Sequence, residues 1–434
     1  MAENRNRKIT ENTRAVLVGL NLGEDPEETE KSLDELERLL ETAGGECAVK
    51  VIQTKEHPDP RTCVGSGKVA EIAYWCDTLE ATLVVFDTEL SPAQIRNVED
   101  AIGGDVRVID RSMLILDIFA LHAVTGEGKL QVELAQLQYT APRLIGRGAE
   151  MSRLGGGIGT RGPGESKLES DRRHMKRRIA ALEAELENLD RTRRTMRAAR
   201  DRSGTPKVAI VGYTNAGKST LLNLLTDAGI LAADQLFATL DPTTRKLTLP
   251  DGSAVLLTDT VGFIRKLPHH LIRAFKSTLD EVVYADVLMI VVDASDPEYR
   301  AQLETTETLL GELGAAEKPM LYVFNKCDLG ADASFRAIGT GAANRRTVSI
   351  SAKTGQGVSM LLDHLQALLR EGKRRVTFRI PNAEAGALSQ LYQTAVVETV
   401  DYGADAITVT ATVDAKTHGM LRRFDPAWKE PSHE

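Results

Sequence analysis

The stretch "KVAIVGYTNAGKS", Lys207 to Ser219, decides the fold. Its first six residues are a short apolar run of buried-strand type. Its last eight fit G-x-x-x-x-G-K-[ST], and a helical pattern opens at Ser219. Strand, glycine loop and helix in that order make a phosphate cradle, because the glycines let successive backbone N–H groups wrap an anion while the helix N-terminus adds its positive end. Among Gly212, Tyr213, Thr214, Asn215, Ala216, Gly217, Lys218 and Ser219, the Lys218 ammonium suits β- and γ-phosphates and the Ser219 hydroxyl suits Mg²⁺. The context matters, as "VGSGKVAEI" at Val64 to Ile72 shows. There Thr62 stands where the first glycine is needed and Val69 replaces the metal-binding hydroxyl, so that stretch reads as a loop-to-helix turn.

Three further motifs follow in chain order. Asp259-Thr260-Val261-Gly262 has the spacing of a loop that senses a terminal phosphate, and Phe263 comes next, where signalling GTPases place a water-orienting glutamine. "NKCD", Asn325, Lys326, Cys327 and Asp328, follows the apolar run "MLYVF". A carboxylate at Asp328 can accept from the ring N–H and exocyclic amine of guanine. Adenine lacks that donor pair and would leave the carboxylate unpaired, so the site selects guanine. Ser351, Ala352 and Lys353 close another strand, and the Ala352 N–H suits the guanine O6.

Outward from this core the chain reads as α/β and multidomain. Strand and helix signals alternate over residues 1–112, which predicts an N-terminal parallel-sheet domain. Residues 113–203 read as a helical hairpin with a glycine-rich basic loop at 143–166. Apolar Leu168, Met175, Leu182, Leu189 and Met196 recur every seven residues there, with Ile179 and Leu186 between, and the helix Leu130 to Tyr139 is the expected intramolecular partner. Residues 204–372 form the doubly wound P-loop domain, and 373–434 a small α+β domain. The net charge is −8, yet Arg143 to Arg202 holds 16 Lys or Arg against 9 Asp or Glu, a polarity that points to a polyanionic partner. The N-terminus is polar and no apolar run approaches membrane-spanning length, so a cytoplasmic protein is expected. Cys47, Cys63, Cys76 and Cys327 form no C-x-x-C pair and read as reduced, structural thiols.

The chain resembles a GTPase of the HflX family, in the Obg-HflX group of translation-associated GTPases. "GYTNAGKST", "FATLDPTTR", "DTVGFIRKLP", "NKCDL" and "SAKTG" resemble its five guanine-nucleotide motifs, and "GGGIGTRGPGESKLE" its glycine-rich linker. The resemblance implies that Phe237, Ala238, Thr239, Leu240 and Asp241 form switch I. Thr239 would ligate Mg²⁺ beside Ser219, Asp259 would hold the metal through water, and the Gly262 N–H would sense the γ-phosphate. It also implies binding of GTP and GDP, association with the 50S large ribosomal subunit, and a role in ribosome dissociation or rescue under stress. A monomer is expected. Arg147, Arg153 and Arg161, followed by Arg172, Arg173, Arg177 and Arg178, are the expected rRNA contacts. Because Phe263 cannot orient water, intrinsic turnover should be slow, with activation coming from the ribosome, from another residue, or from K⁺ held at Asn215. "IRKLPHH" is the segment an outside element is expected to order. Two alternatives stand beside this: a GTP-dependent ribosome or RNA clamp with incidental hydrolysis, and an RNA-remodelling factor driven by nucleotide at the N-terminal domain.

Overall fold

The computed structural model describes residues 9–10, 12–23, 25–144, 163–201, 205–226, 236–268, 271, 276–330, 345–370, 374–413 and 415–427. Two compact units emerge. One comprises Met1–Leu189, Leu231–Asp241 and Val261–Leu279; the other comprises Asp190–Ile230, Pro242–Thr260 and Asp280–Glu434.

In the first unit, strands β1 (Arg14–Asn21), β2 (Glu46–Thr54), β3 (Leu83–Phe86) and β4 (Arg107–Asp110) form one parallel sheet in the order β2-β1-β3-β4. Its centre is apolar on both faces, as parallel strands covered by helices require. Helix α1 (Pro26–Thr42) starts where the Asp25 side chain accepts from Glu27 N and Pro26 occupies the first turn. It buries Leu33, Leu36, Leu39 and Leu40, the positions of its helical apolar period. Helix α2 (Ser66–Thr78) begins within "VGSGK", with Gly65 at its N-cap. Helix α3 (Pro92–Ile102) opens with a capping box in which Ser91 and Gln94 each bond the other's backbone. Helix α4 (Arg111–His122) is capped by Asp110, whose carboxylate accepts from Met113 N at 3.1 Å.

Helices α5 (Gly126–Leu144) and α6 (Pro163–Asp201) are the predicted hairpin elements. They touch through a bidentate Arg178–Glu133 pair, 2.7 Å at both contacts, and through Gln138 on Glu183. Of the heptad positions on α6, Leu182 is fully buried and Met175, Ile179, Leu186 and Leu189 are half-buried.

The second unit holds a six-stranded sheet, β10-β9-β8-β5-β7-β6, built from β5 (Lys207–Gly212), β6 (Thr243–Thr248), β7 (Ala254–Asp259), β8 (Val287–Asp293), β9 (Met320–Asn325) and β10 (Arg345–Ser349). All neighbours run parallel except the edge strand β6. Helices α7 (Lys218–Thr226), α8 (Lys276–Tyr284), α9 (Tyr299–Glu312) and α10 (Val358–Arg370) connect the strands, and Leu221, Leu222, Leu361, Leu365 and Leu368 pack with the sheet into one core. The chain then makes an antiparallel sheet, β11 (Arg374–Pro381), β13 (Ala406–Val413) and β12 (Val396–Tyr402), with α11 (Gly386–Thr394) and α12 (Ala415–Leu421). Its core includes Phe378, Val409 and Leu391. All four cysteines are free thiols, and burial pushes those of Cys63 and Cys76 up to about 11.

Arg111, at the start of α4, is 2 % exposed. Its guanidinium donates to Asp87 Oδ1 at 2.7 Å, to Glu35 Oε1, and to the Arg265 carbonyl at 3.2 Å. Replacing one member of such a buried cluster strands the remaining charges. Arg111→Ala should lower the stability of this unit by about 3–5 kcal/mol, read by urea denaturation on Trp75 fluorescence. A loss under about 1 kcal/mol would show that Asp87 and Glu35 regain water freely.

Candidate nucleotide-binding site

The glycine loop is shaped by what cannot fit. Gly212 ends β5 at φ +144°, and a side chain there would collide with the Val291 carbonyl on β8. Gly217 sits at φ +93°, where a Cβ would strike Asn325 Nδ2. Between them Asn215 is exposed and left-handed at φ +61°, a conformation asparagine tolerates. The loop thus turns tightly enough for α7 to begin at Lys218.

Lys218 is 7 % exposed and donates to the Tyr213 carbonyl at 2.7 Å. Burial pushes its ammonium down from 10.5 to about 8, against the opposing charge of Asp259. Ser219 Oγ donates to Asp259 Oδ2 at 2.7 Å, while Asp259 Oδ1 is buried and takes no hydrogen bond. Thr260 Oγ1, fully buried, donates to the Ile210 carbonyl at 2.7 Å and pins the end of β7 to β5. Thr214 Oγ1 is also buried without a partner. A hydroxyl and a carboxylate in contact form a hard-oxygen donor set suited to Mg²⁺, which keeps much of its water and needs no all-protein cage. No group of three or more His, Cys, Asp or Glu side chains that could hold a metal occurs among the described residues.

The base-recognition motifs meet the loop through one side chain. Asn325, 2 % exposed, donates from Nδ2 to the Ala216 carbonyl at 2.9 Å and accepts at Oδ1 from Ala352 N at 2.8 Å. The sequence reading gives the Ala352 N–H to guanine; in the structure that amide holds the Ser351–Lys353 loop to Asn325. Lys326 is left-handed at φ +62° and pairs with Asp293 at 2.6 Å. Asp328 is exposed, and a hydrogen bond from Ser351 holds its carboxyl below the usual range, with Lys353 and Lys326 adding to the effect. It is an ionised acceptor facing solvent, as guanine recognition demands. Gly212–Ser219, Asp259, Asn325–Asp328 and Ser351–Lys353 all follow or end parallel strands of one sheet, the edge at which doubly wound folds bind ligands.

The remaining motif residues lie in the first unit. Phe237 and Leu240 are each 2 % exposed, and Phe237 meets Phe119 of α4 edge-on at 4.9 Å. Leu236 N donates to Thr42 Oγ1 at 3.3 Å. The Asp241 carboxylate accepts from Val124 N and Thr125 N on α5's N-terminal side. The side chains of Phe237 and Asp241 are thus engaged within the unit. Val261 is buried, as are Phe263 and Ile264. Arg265 pairs with Glu28 at 3.2 Å and Lys266 with Asp87 at 2.7 Å. The sequence reading expects an outside element to order "IRKLPHH"; Ile264 to Lys266 is instead held by the chain's own N-terminal unit. His269 and His270 lie outside the described residues.

Arg147, Arg153 and Arg161 also lie outside the described residues. Arg172, Arg173 and Arg177 are exposed on α6, whereas Arg178 is bound to Glu133. In the "VGSGK" turn, Gly65 N donates to Gln53 Oε1 at 2.7 Å and Lys68 pairs with Glu71 at 2.8 Å, so two groups an anion would need are already engaged.

This is the site of a P-loop guanine-nucleotide enzyme. Family models match along the chain: "GTP-binding GTPase N-terminal" at 30–120, "GTP-binding GTPase Middle Region" at 122–200 and "50S ribosome-binding GTPase" at 207–326. The HflX GTPase of Lacrimispora saccharolytica is 51% identical over 417 residues, 96% of this chain and 97% of that protein. The HflX GTPase of Escherichia coli K12 is 44% identical over 385 residues, 89% of each. A GTP-binding protein of Sulfolobus solfataricus, solved with GDP, aligns with 83% of this chain and 99% of its own at 25% identity and a TM-score of 0.44. The chain belongs to the HflX family of GTPases.

A phosphate on Lys218 needs the ammonium form. Affinity for GDP should be flat from pH 6.5 to 7.5 and fall as pH rises through about 8, measured by titration calorimetry. The nucleotide-free protein responds in the opposite sense. Between about 8 and 10.5 the unfolded chain holds more proton at this lysine than the folded one, so that group's contribution to stability rises with pH across this window.

Proposed function

We propose that this GTPase binds GTP with Mg²⁺, hydrolyses it slowly to GDP and phosphate, and uses the nucleotide state to control docking of its helical hairpin on the large ribosomal subunit. The observation that carries the nucleotide half is the gathering of Lys218, the Ser219–Asp259 pair and the Asn325-centred loops along one sheet edge. Residues 212–219 cradle the phosphates, and Asp328 reads the guanine edge beside Asn325, Lys326 and Ser351–Lys353. Ser219 and Thr239 hold the metal, with Asp259 acting through water; when bound, Mg²⁺ neutralises charge between the β- and γ-phosphates. Thr260, Val261 and the Gly262 N–H follow the γ-phosphate. Phe263 offers neither donor nor acceptor to the attacking water, which makes intrinsic turnover slow.

The ribosomal half rests on the match to a "50S ribosome-binding GTPase" model and on the basic segment around α6. Arg147, Arg153, Arg161, Arg172, Arg173 and Arg177 are the proposed rRNA contacts. Arg178 serves the hairpin through Glu133. A cytoplasmic, monomeric factor that splits or rescues ribosomes is the role this chemistry fits; no described helix is long and apolar enough to cross a membrane. Exposed Asn215 is the proposed K⁺ ligand.

Multiple-turnover GTP hydrolysis should rise when large subunits are added and should be faster in K⁺ than in Na⁺ buffer. Co-sedimentation with large subunits should favour a non-hydrolysable GTP analogue over GDP. No stimulation by subunits supports the clamp reading instead, and equal rates in the two salts remove Asn215 as a cation ligand. Phe263→Gln places an amide in a site that is 2 % exposed. It should cost about 1–3 kcal/mol of stability and leave basal turnover nearly unchanged. A large rise in turnover would identify the side chain itself as the limit.

A further inference from the structure

Helix α5, the first arm of the hairpin, is capped twice. Thr125 caps it in sequence: its Oγ1 accepts from Gly128 N at 2.9 Å and its carbonyl from Lys129 N at 3.1 Å. A second cap arrives from more than a hundred residues further along the chain. Asp241 Oδ2 accepts from Val124 N at 2.9 Å and Thr125 N at 2.8 Å, and Oδ1 from Thr125 Oγ1 at 2.5 Å. A carboxylate on a helix N-terminus is favoured by the positive end of the helix dipole. Gly128 is buried against this contact, and a methyl there would collide with Asp241 Oδ1 and crowd Thr125 Oγ1.

Thr239 lies between two anchors. Two residues before it, Phe237 is buried against Phe119; two residues after it, Asp241 sits on α5. Two residues of chain span about 7 Å at most, so Thr239 cannot travel far without loosening one anchor. Phe237 is the firmer of the two, being an aromatic contact within the core, whereas the Asp241 contact lies at an exposed helix end.

We propose that Thr125 and Gly128 are positioning residues for Thr239: the Asp241 carboxylate seated on α5 sets where Thr239 stands, so that the position of Thr239 and the state of the α5 N-terminus are coupled. This rests on the role given to Thr239 above. By linkage the tie works both ways, since whatever favours one position of Thr239 favours the matching state of α5, and a ligand on the hairpin biases Thr239 equally.

The test is amide hydrogen exchange on the full-length protein with GDP and with Mg²⁺ plus a non-hydrolysable GTP analogue, with no ribosomes present. Exchange at Val124, Thr125 and Gly128 should differ between the two states by about 5-fold or more, the low end of ordinary allosteric coupling. Gly128→Ala should abolish that difference and raise KM for GTP while GDP affinity holds, although intrinsic helix preference favours the change. Thr125→Val should act in the same direction, and Thr125→Ser should restore the difference. Equal exchange in both states of the unmodified protein, or a nucleotide-dependent difference that survives both Gly128→Ala and Thr125→Val, overturns the proposal. Thr239→Ala separates the two readings. If it leaves affinity for the analogue unchanged, the role of Thr239 fails; if it weakens that affinity while α5 exchange ignores the nucleotide, the tie alone fails.

Discussion

The nucleotide half of this molecule hangs on the Asn325 carboxamide. One amide group bonds the glycine loop, through the Ala216 carbonyl, and the Ser351–Lys353 loop, through Ala352 N. The contact exists because Gly217 carries no side chain at the point where Nδ2 passes. A carboxamide can do this because it carries a donor and an acceptor on one planar group, which a carboxylate of the same size does not. Removing it would leave a buried carbonyl and a buried N–H without partners, and both loops free to move. The spacing between the glycine loop and the Ser351–Lys353 loop is thus set by a residue whose own side chain bonds to the protein.

The N-terminal unit is organised by charge. Arg111 and Asp87 are almost wholly inside, and each is fixed by more than one partner: Asp87 accepts from Arg111, from Ser32 Oγ at 2.7 Å and from Lys266. The three bonds are not equivalent. Losing Arg111 would strand a buried carboxylate, whereas Lys266 is half exposed and can return its ammonium to water while Asp87 keeps two donors. The Lys266 contact is therefore the member of the cluster that can open at least cost to the unit. Lys266 holds a left-handed backbone (φ +51°), which adds a local cost to the held state.

What the sequence made legible was local. Gly212 to Ser219 could be read because a strand, a glycine loop and a helix start are contiguous; the alternating first hundred residues announced a parallel sheet, and β1, β2, β3 and β4 lie close to where the apolar runs stand. What stayed hidden were the ties between distant positions: Asp241 to Thr125, Lys266 to Asp87 and Arg265 to Glu28, separated by 116, 179 and 237 residues. Nothing in the neighbourhood of Arg111 distinguishes a buried cluster centre from an ordinary basic residue at a helix start. The same blindness explains Phe237 and Leu240, which stand in a nucleotide motif yet point their side chains into the N-terminal unit. Arg178 was legible as basic, but its partner Glu133 on α5 was not.

This division bears on why a GTPase would tolerate phenylalanine after its D-T-V-G motif. A glutamine there serves an enzyme whose switch moves freely and must carry its own water-orienting group. Here the segment is anchored: Val261, Phe263 and Ile264 are buried, and Arg265 and Lys266 are paired with acids. An apolar residue at 263 adds to that anchorage by about the 1.5–3 kcal/mol that full burial of a large side chain provides, while a buried amide would need a partner the site would have to supply. The chain thus trades a side chain of the kind that orients water for one that holds the segment at rest, and the slow intrinsic hydrolysis proposed above would follow from the packing as directly as from the missing amide.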